Sequence, residues 1–112
     1  MIIQSRKYPD TTHDVSLATW NDMKKNGLDP DNLAWLVPHQ ANMRIIEAVA
    51  RRMSIPKEKV MINIEKYGNT TAASIPIALH EALNKGLLRA GQHVLMASFG
   101  SGFTWASAIV RW

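Results

Sequence analysis

Leu33-Ala34-Trp35-Leu36-Val37-Pro38-His39-Gln40-Ala41-Asn42-Met43-Arg44 is the stretch on which the fold turns. An apolar run ends at a proline, a histidine follows at once, and a helical period then begins. The run from 33 to 37 is too short for a helix and has the apolar continuity of a buried strand. From about 42 to 53 the period changes. Met43, Ile46, Ala50 and Met53 recur on one helical face, with Ile45 and Val49 beside them. A strand that hands over to a helix is the repeating unit of α/β proteins. Their ligands bind outside the carboxyl ends of strands, which is where His39 stands.

The same alternation extends in both directions. Upstream, residues 4–14 are polar and read as an irregular lead-in, so residues 1–13 are set apart from a single domain over 14–112. A helix is expected from about 14, with Val15, Ala18, Met23 and Trp20 inward, and Asn26-Gly27 stops it. Leu28-Asp29-Pro30-Asp31-Asn32 makes a turn into the first strand. Downstream, Val60-Met61-Ile62-Asn63-Ile64 reads as a second strand. After Tyr67-Gly68-Asn69-Thr70-Thr71-Ala72-Ala73-Ser74-Ile75-Pro76 a helix is predicted to run to about Lys85 and end at Gly86. Residues 93–99 and 103–110 read as two strands joined at Gly100-Ser101-Gly102, a hairpin signature. The order α-β-α-β-α-β-β predicts an α/β fold. Its sheet should be mixed and mostly parallel, with packed helices and an antiparallel hairpin at the C-terminal end.

The chain has 112 residues, 46% hydrophobic and 20% charged, enough for one modest core. It has no cysteine, which excludes disulfides, thiolate metal sites and a cysteine nucleophile within this chain. The first residues lack the apolar core of a secretory signal, and no apolar run reaches the length of a membrane span. A soluble, cytoplasmic protein that does not engage membranes is therefore expected. The net charge of +4 favours acidic partners without choosing among nucleic acid, acidic protein and phosphorylated cofactor. No Gly-x-Ser-x-Gly elbow, phosphate loop or zinc spacing is present. Nor is there the interleaving of aromatic and basic residues used to bind RNA, so nucleic acid is the weakest of the partner classes.

Two polar residues fall in the strand-end loops, His39 after the first strand and Asn69 after the second, and the Gly100-Ser101-Gly102 turn lies at the same end. A histidine nitrogen and an amide NH2 can both donate to one oxygen. Two donors aimed at a carbonyl stabilise an enolate or oxyanion, by roughly 3 kcal/mol per donor in a dry site. That suits decarboxylation beside a thioester, or acyl transfer. Each residue also has a plain structural reading: His39 as a turn or cap, Asn69 as a left-handed turn residue after Gly68, and the turn as an ordinary hairpin. Arg44, Arg51 and Arg52 form a basic helix face, which is usually only solvated. His13, His80 and His93 are scattered and define no site.

Three ordered motifs carry a resemblance. Trp35-Leu36-Val37-Pro38-His39-Gln40-Ala41-Asn42, the Tyr67 to Pro76 stretch quoted above, and Ser98-Phe99-Gly100-Ser101-Gly102-Phe103-Thr104-Trp105 together resemble the C-terminal half of β-ketoacyl-acyl-carrier-protein synthase III. This condensing enzyme of the thiolase-like fold starts bacterial fatty-acid synthesis. The resemblance implies a thiolase-like half-domain and an acyltransferase that uses acyl-CoA and malonyl-carrier protein as substrates, without a cofactor or metal. It makes His39 and Asn69 two members of a Cys-His-Asn triad that holds the malonyl thioester oxygen through decarboxylation, with His39 neutral. It places Asn42 near the pantetheine arm and Phe99 beside the triad. Arg44, Arg51 and Arg52 would lie on the helix that meets acyl carrier protein. Ser101 replaces the middle of three glycines at the expected oxyanion turn. The triad cysteine belongs to the family's N-terminal half. A cysteine-bearing N-terminal half, or self-association through the uncovered face, is therefore the implied partner. The alternative is a non-catalytic fragment or subunit that only binds carrier protein or assembles with such a half.

Overall fold

The computed structural model describes residues 2–5, 21, 23–29, 31–40, 42–100 and 104–112. Among them are the strands β1 (Ile2–Ser5), β2 (Trp35–Pro38), β3 (His93–Gly100) and β4 (Thr104–Arg111). The helices are α1 (Met43–Arg52), α2 (Ile64–Tyr67) and α3 (Ser74–Asn84), with single 3-10 turns at Lys57–Lys59 and Thr71–Ala73. The strands form one sheet in the order β1-β4-β3-β2. β2 runs parallel to β3, while β4 is antiparallel to both β3 and β1.

The apolar run at 33–37 is continuous because β2 is covered on both faces. Successive strand side chains point to opposite sides. Leu36 joins a core with Leu95, Ile46, Val49, Ala50 and Met53, which is the buried face of α1. Val37 joins a second core with Val94, Ala78, Ala82 and Leu88, which is the buried face of α3. Alternation repeats in the neighbours: Val94 and Leu95 separate to opposite cores, as do Val60 and Met61. Among the described residues, α1 therefore packs on one face of the sheet, with Met23 in the same core, and α3 on the other. Of the predicted inward residues at 42–53, Ile46, Val49, Ala50 and Met53 are buried while Met43 and Ile45 are only partly so, and Met23 is also fully buried.

Helix ends follow the sequence signals. Asn42 is the N-cap of α1, its Oδ1 accepting from the Arg44 backbone N–H at 2.8 Å. Arg51 and Arg52 sit in the last turn, where the helix dipole favours cations. After α3 the chain turns at Gly86 (φ 69°), and the Leu87 N–H donates back to Ala82 O at 2.9 Å. Pro76 stands in the first turn of α3, where a missing N–H is tolerated. The expected helix from about 14 falls largely outside the described residues, and so does the Trp20 expectation. Its end is seen at Met23 and Gly27, where Leu28 N–H donates to Met23 O at 3.0 Å.

Two expectations are corrected. Residues 2–5 of the lead-in are a strand, since Ile2 to Ser5 pair with Ser107 to Thr104 along the edge of β4. Residues 60–64 are not a full strand. Val60 makes one parallel bridge to Leu36, Met61 N–H donates to Leu36 O at 2.9 Å, and the ladder stops. The cause is the Gln40 side chain. Its Oε1 accepts from the N–H groups of Asn63 and Ile64, at 3.0 and 3.1 Å, so a carboxamide takes the place of a strand partner. With that strand reduced and β1 added, the sheet is mixed, with one parallel and two antiparallel strand pairs among the described residues.

Candidate active site

His39 directly follows β2. Its backbone N–H donates to Ala97 O at 2.7 Å, extending the register with β3 by one residue and fixing where the imidazole starts. The ring is half-buried, and its Nδ1 lies 2.5 Å from Ser74 Oγ at the start of α3. Burial pushes the His39 pKa below its ordinary value, because desolvation disfavours the charged ring. At neutral pH the imidazole is uncharged and carries one proton.

Asn69 lies in the loop between α2 and the Thr71–Ala73 turn. Gly68 before it has φ 67° and ψ −159°, a region essentially reserved for glycine. Asn69 itself is not in the left-handed region; Thr71 is, at φ 50°, a true outlier for a β-branched residue. That twist aims the Thr71 N–H at Asn69 Oδ1, at 2.9 Å. With its oxygen anchored, the Asn69 amide keeps its NH2 group for another acceptor. Thr71 O in turn lies 2.8 Å from Ser74 Oγ. A single backbone residue therefore links the two candidates: Asn69 to Thr71 N–H, and Thr71 O through Ser74 to His39.

Gln40 secures the loop behind this pair. It is fully buried. Its Nε2 donates to Pro38 O at 2.9 Å and to Met61 O at 3.1 Å, and its Oε1 takes the two N–H groups named above. Both donors and both acceptor positions of the amide are used. Gln40, Thr71 and Ser74 were not singled out from the sequence. Gln40 reaches 21 to 24 residues along the chain and Ser74 is 35 residues from His39, so no local pattern announces either. The one local signal was Ser74 placed three residues after Thr71, the spacing of a side-chain bond back to a carbonyl.

The other expected site residues are distributed as follows. Asn42 is exposed and spends its Oδ1 on the α1 cap. Arg44, Arg51 and Arg52 are all exposed on α1. The backbone of Phe99 pairs with Trp105 in the hairpin, and Gly100 pairs with Thr104. Ser101 lies outside the described residues, and with it the expectation of an oxyanion turn there. Two cavities, of about 180 and 400 Å³, open elsewhere, one beside Trp35, Asn63 and Glu81 and one beside Ile46, Ala50 and Arg51. Neither is lined by His39 or Asn69.

Residues 23–112 match the family model of the 3-oxoacyl-(acyl-carrier-protein) synthase III C-terminal region. The chain belongs to that family. It is 48% identical over 105 residues to β-ketoacyl-(acyl-carrier-protein) synthase III of a Roseiflexus species, covering 94% of this chain and 32% of the relative. It is 57% identical over 90 residues to the synthase III of Porphyromonas gingivalis, covering 80% of this chain and 26% of that protein. Among solved structures, the synthase III of Aquifex aeolicus superposes with a TM-score of 0.88 at 46% identity, over 90% of this chain and 33% of that one. The chain thus spans between about a quarter and a third of the length of these relatives. Its α/β half-domain is the thiolase-like one that the three motifs suggested.

Proposed function

We propose that this chain supplies the His39 and Asn69 pair of a condensing acyltransferase that decarboxylates a malonyl thioester held on acyl carrier protein. In this reaction the bond from Cα to the carboxylate breaks and CO2 leaves. The electron pair moves into the thioester as an enolate, so negative charge collects on the thioester oxygen. The Asn69 NH2 group and the outer nitrogen of His39, when it carries the ring proton, donate to that oxygen. The enolate carbon then attacks an acyl group, derived from acyl-CoA, on a cysteine outside this chain and expels the thiolate. Donors fixed in advance act without reorganisation.

The observation that carries this reading is the linkage through Thr71 and Ser74, which orients both candidate donors from one stretch of backbone. The lowered pKa of His39 supports a neutral ring, as a donor beside a carboxylate-bearing substrate requires. The test is CO2 release from malonyl-carrier protein by this chain, beside His39→Ala and Asn69→Ala. Release by the parent that falls about tenfold to a hundredfold in either variant is the expected result. Release unchanged in both variants would sink the proposal.

A second reading rests on the three exposed arginines of α1 and the absence of cysteine: a module that binds carrier protein without chemistry. It predicts salt-sensitive binding of carrier protein that weakens in Arg44→Ala and Arg51→Ala. CO2 release would then be absent from the parent.

A further inference from the structure

The loop that carries Asn69, residues 68–73, leaves α2 and enters α3. Its α2 side is rooted in Asn63, which is buried. The Asn63 N–H donates to Gln40, and its carbonyl accepts from the N–H groups of Lys66 and Tyr67, at 3.0 Å each. One side chain of α3 faces this root. Glu81 Oε1 lies 3.9 Å from Lys66 Nζ and accepts from Lys85 Nζ at 2.8 Å. Two buried side-chain atoms have no hydrogen-bond partner among the described residues, and they are complementary: the donor Asn63 Nδ2 and the acceptor Glu81 Oε2. Both residues line the cavity beside Trp35. The Lys85 hydrogen bond holds the Glu81 carboxyl below its usual range against the cost of burial, and Lys66 and the Asn63 amide add to that in smaller measure.

We propose that Glu81 is a positioning residue for Asn69: its carboxylate clasps α3 to the Asn63 root of α2 and so fixes both ends of the loop between them. Lys85 lies four residues along the same helix and ties nothing to α2. The Lys66 side chain is solvent-facing, and such a pair is weak alone. The Asn63 amide is different. A donor and an acceptor buried in the wall of one cavity are costly unpaired, and a small approach of α3 to residue 63 turns them into one hydrogen bond to a charged group. A loop with fixed ends has fewer conformations to lose, so the bond from Thr71 N–H to Asn69 is held more of the time. The consequence for catalysis rests on the decarboxylation reading above; the order of the loop does not.

Amide hydrogen exchange, resolved residue by residue by NMR on the whole chain, reads the clasp without substrate. Two amides report on the loop: Thr71, bonded to Asn69 Oδ1, and Gly68, bonded to Ile64 O. Two report on the sheet: His39, bonded to Ala97 O, and Met61, bonded to Leu36 O. In Glu81→Ala the loop amides are expected to exchange about tenfold faster, while the sheet amides keep the parent rates. Glu81→Gln, which keeps an oxygen for the Asn63 amide, returns them most of the way. In the CO2 assay, Glu81→Ala lowers kcat about tenfold with KM near the parent value, and Glu81→Gln recovers it. Equal acceleration of all four amides would mean a general loss of stability and overturns the proposal, as does no acceleration at all. Loop amides as fast in Glu81→Gln as in Glu81→Ala overturn it too, because the carboxylate would then serve only its lysines. A parent that releases no CO2 counts against the decarboxylation reading, and the exchange rates still decide the clasp.

Discussion

His39 combines partial burial with a hydroxyl partner, and the burial has a consequence for stability. Its folded pKa lies below the ordinary value of about 6.5, so the unfolded chain binds a proton that the folded chain does not across the interval between them. Stability from this source is fully present above about pH 6.5 and is lost as the pH falls through the lowered value. Urea unfolding at about pH 8 and about pH 5 should therefore show a loss in the parent that shrinks in His39→Gln. An equal loss in both would place the acid sensitivity elsewhere. Glu81 is a separate source of acid sensitivity that this comparison does not reach. The Lys85 hydrogen bond holds its carboxyl below the usual range, so its contribution is lost in a more acidic window, below about pH 4.3. At this scale the sequence was half legible. The residue types His and Asn after strand-like runs pointed to a two-donor site. Thr71 at φ 50° did not show itself, because a β-branched residue is the last to be expected there.

Among the elements, α1 and α3 were readable because period, cap and stop agree. Two substitutions separate those contributions. Gly86 sits at φ 69°, and an added Cβ would meet nothing within 4 Å. Gly86→Ala therefore tests backbone strain alone and should cost about 1–2 kcal/mol in chemical denaturation. A neutral result would mean the turn relaxes. Asn42→Ala removes the α1 cap and should cost about 1 kcal/mol. If Asn42 also meets a pantetheine arm, the same variant raises KM for the carrier-bound substrate beyond what a frayed helix explains. The 60–64 segment was misread for a physical reason. Its apolar alternation is real, with Val60 and Met61 feeding opposite cores. Its backbone partner past Met61, however, is a side chain from 40, and strand propensity carries no information about that. β1 was missed because two isoleucines before a polar stretch give too short a run to read.

For the whole molecule, several large apolar side chains remain at the surface. Leu83 is 50% exposed, Tyr67 42%, Trp112 41% and Leu87 40%. Together with the groove beside Ile46, Ala50 and Ile55, these are the apolar side chains that a partner could cover. Sedimentation velocity across a hundredfold concentration range should show association beyond the monomer. Adding the cysteine-bearing N-terminal portion of a relative should suppress it and raise condensing activity. A monomer at every concentration, unchanged by that addition, would count against an uncovered face. The family and the α/β class were legible in three motifs and an element order. How the faces pair was not, since each core draws residues from strands and helices far apart in the chain.

The saturated carboxamide of Gln40 has a chemical polarity that a more symmetric group could not reproduce. Two carbonyls face its nitrogen and two amides face its oxygen. Gln40→Glu keeps the shape but sets a carboxylate oxygen against Pro38 O and Met61 O in a buried place. Protonation of that oxygen supplies a donor again, so the folded form should hold its proton to a higher pH than the unfolded form. The folded state then binds the extra proton, and stability falls as the pH rises through that interval. Relative to the parent, this variant would be an acid-hardened protein, gaining on it as the solution is acidified and losing ground toward neutrality.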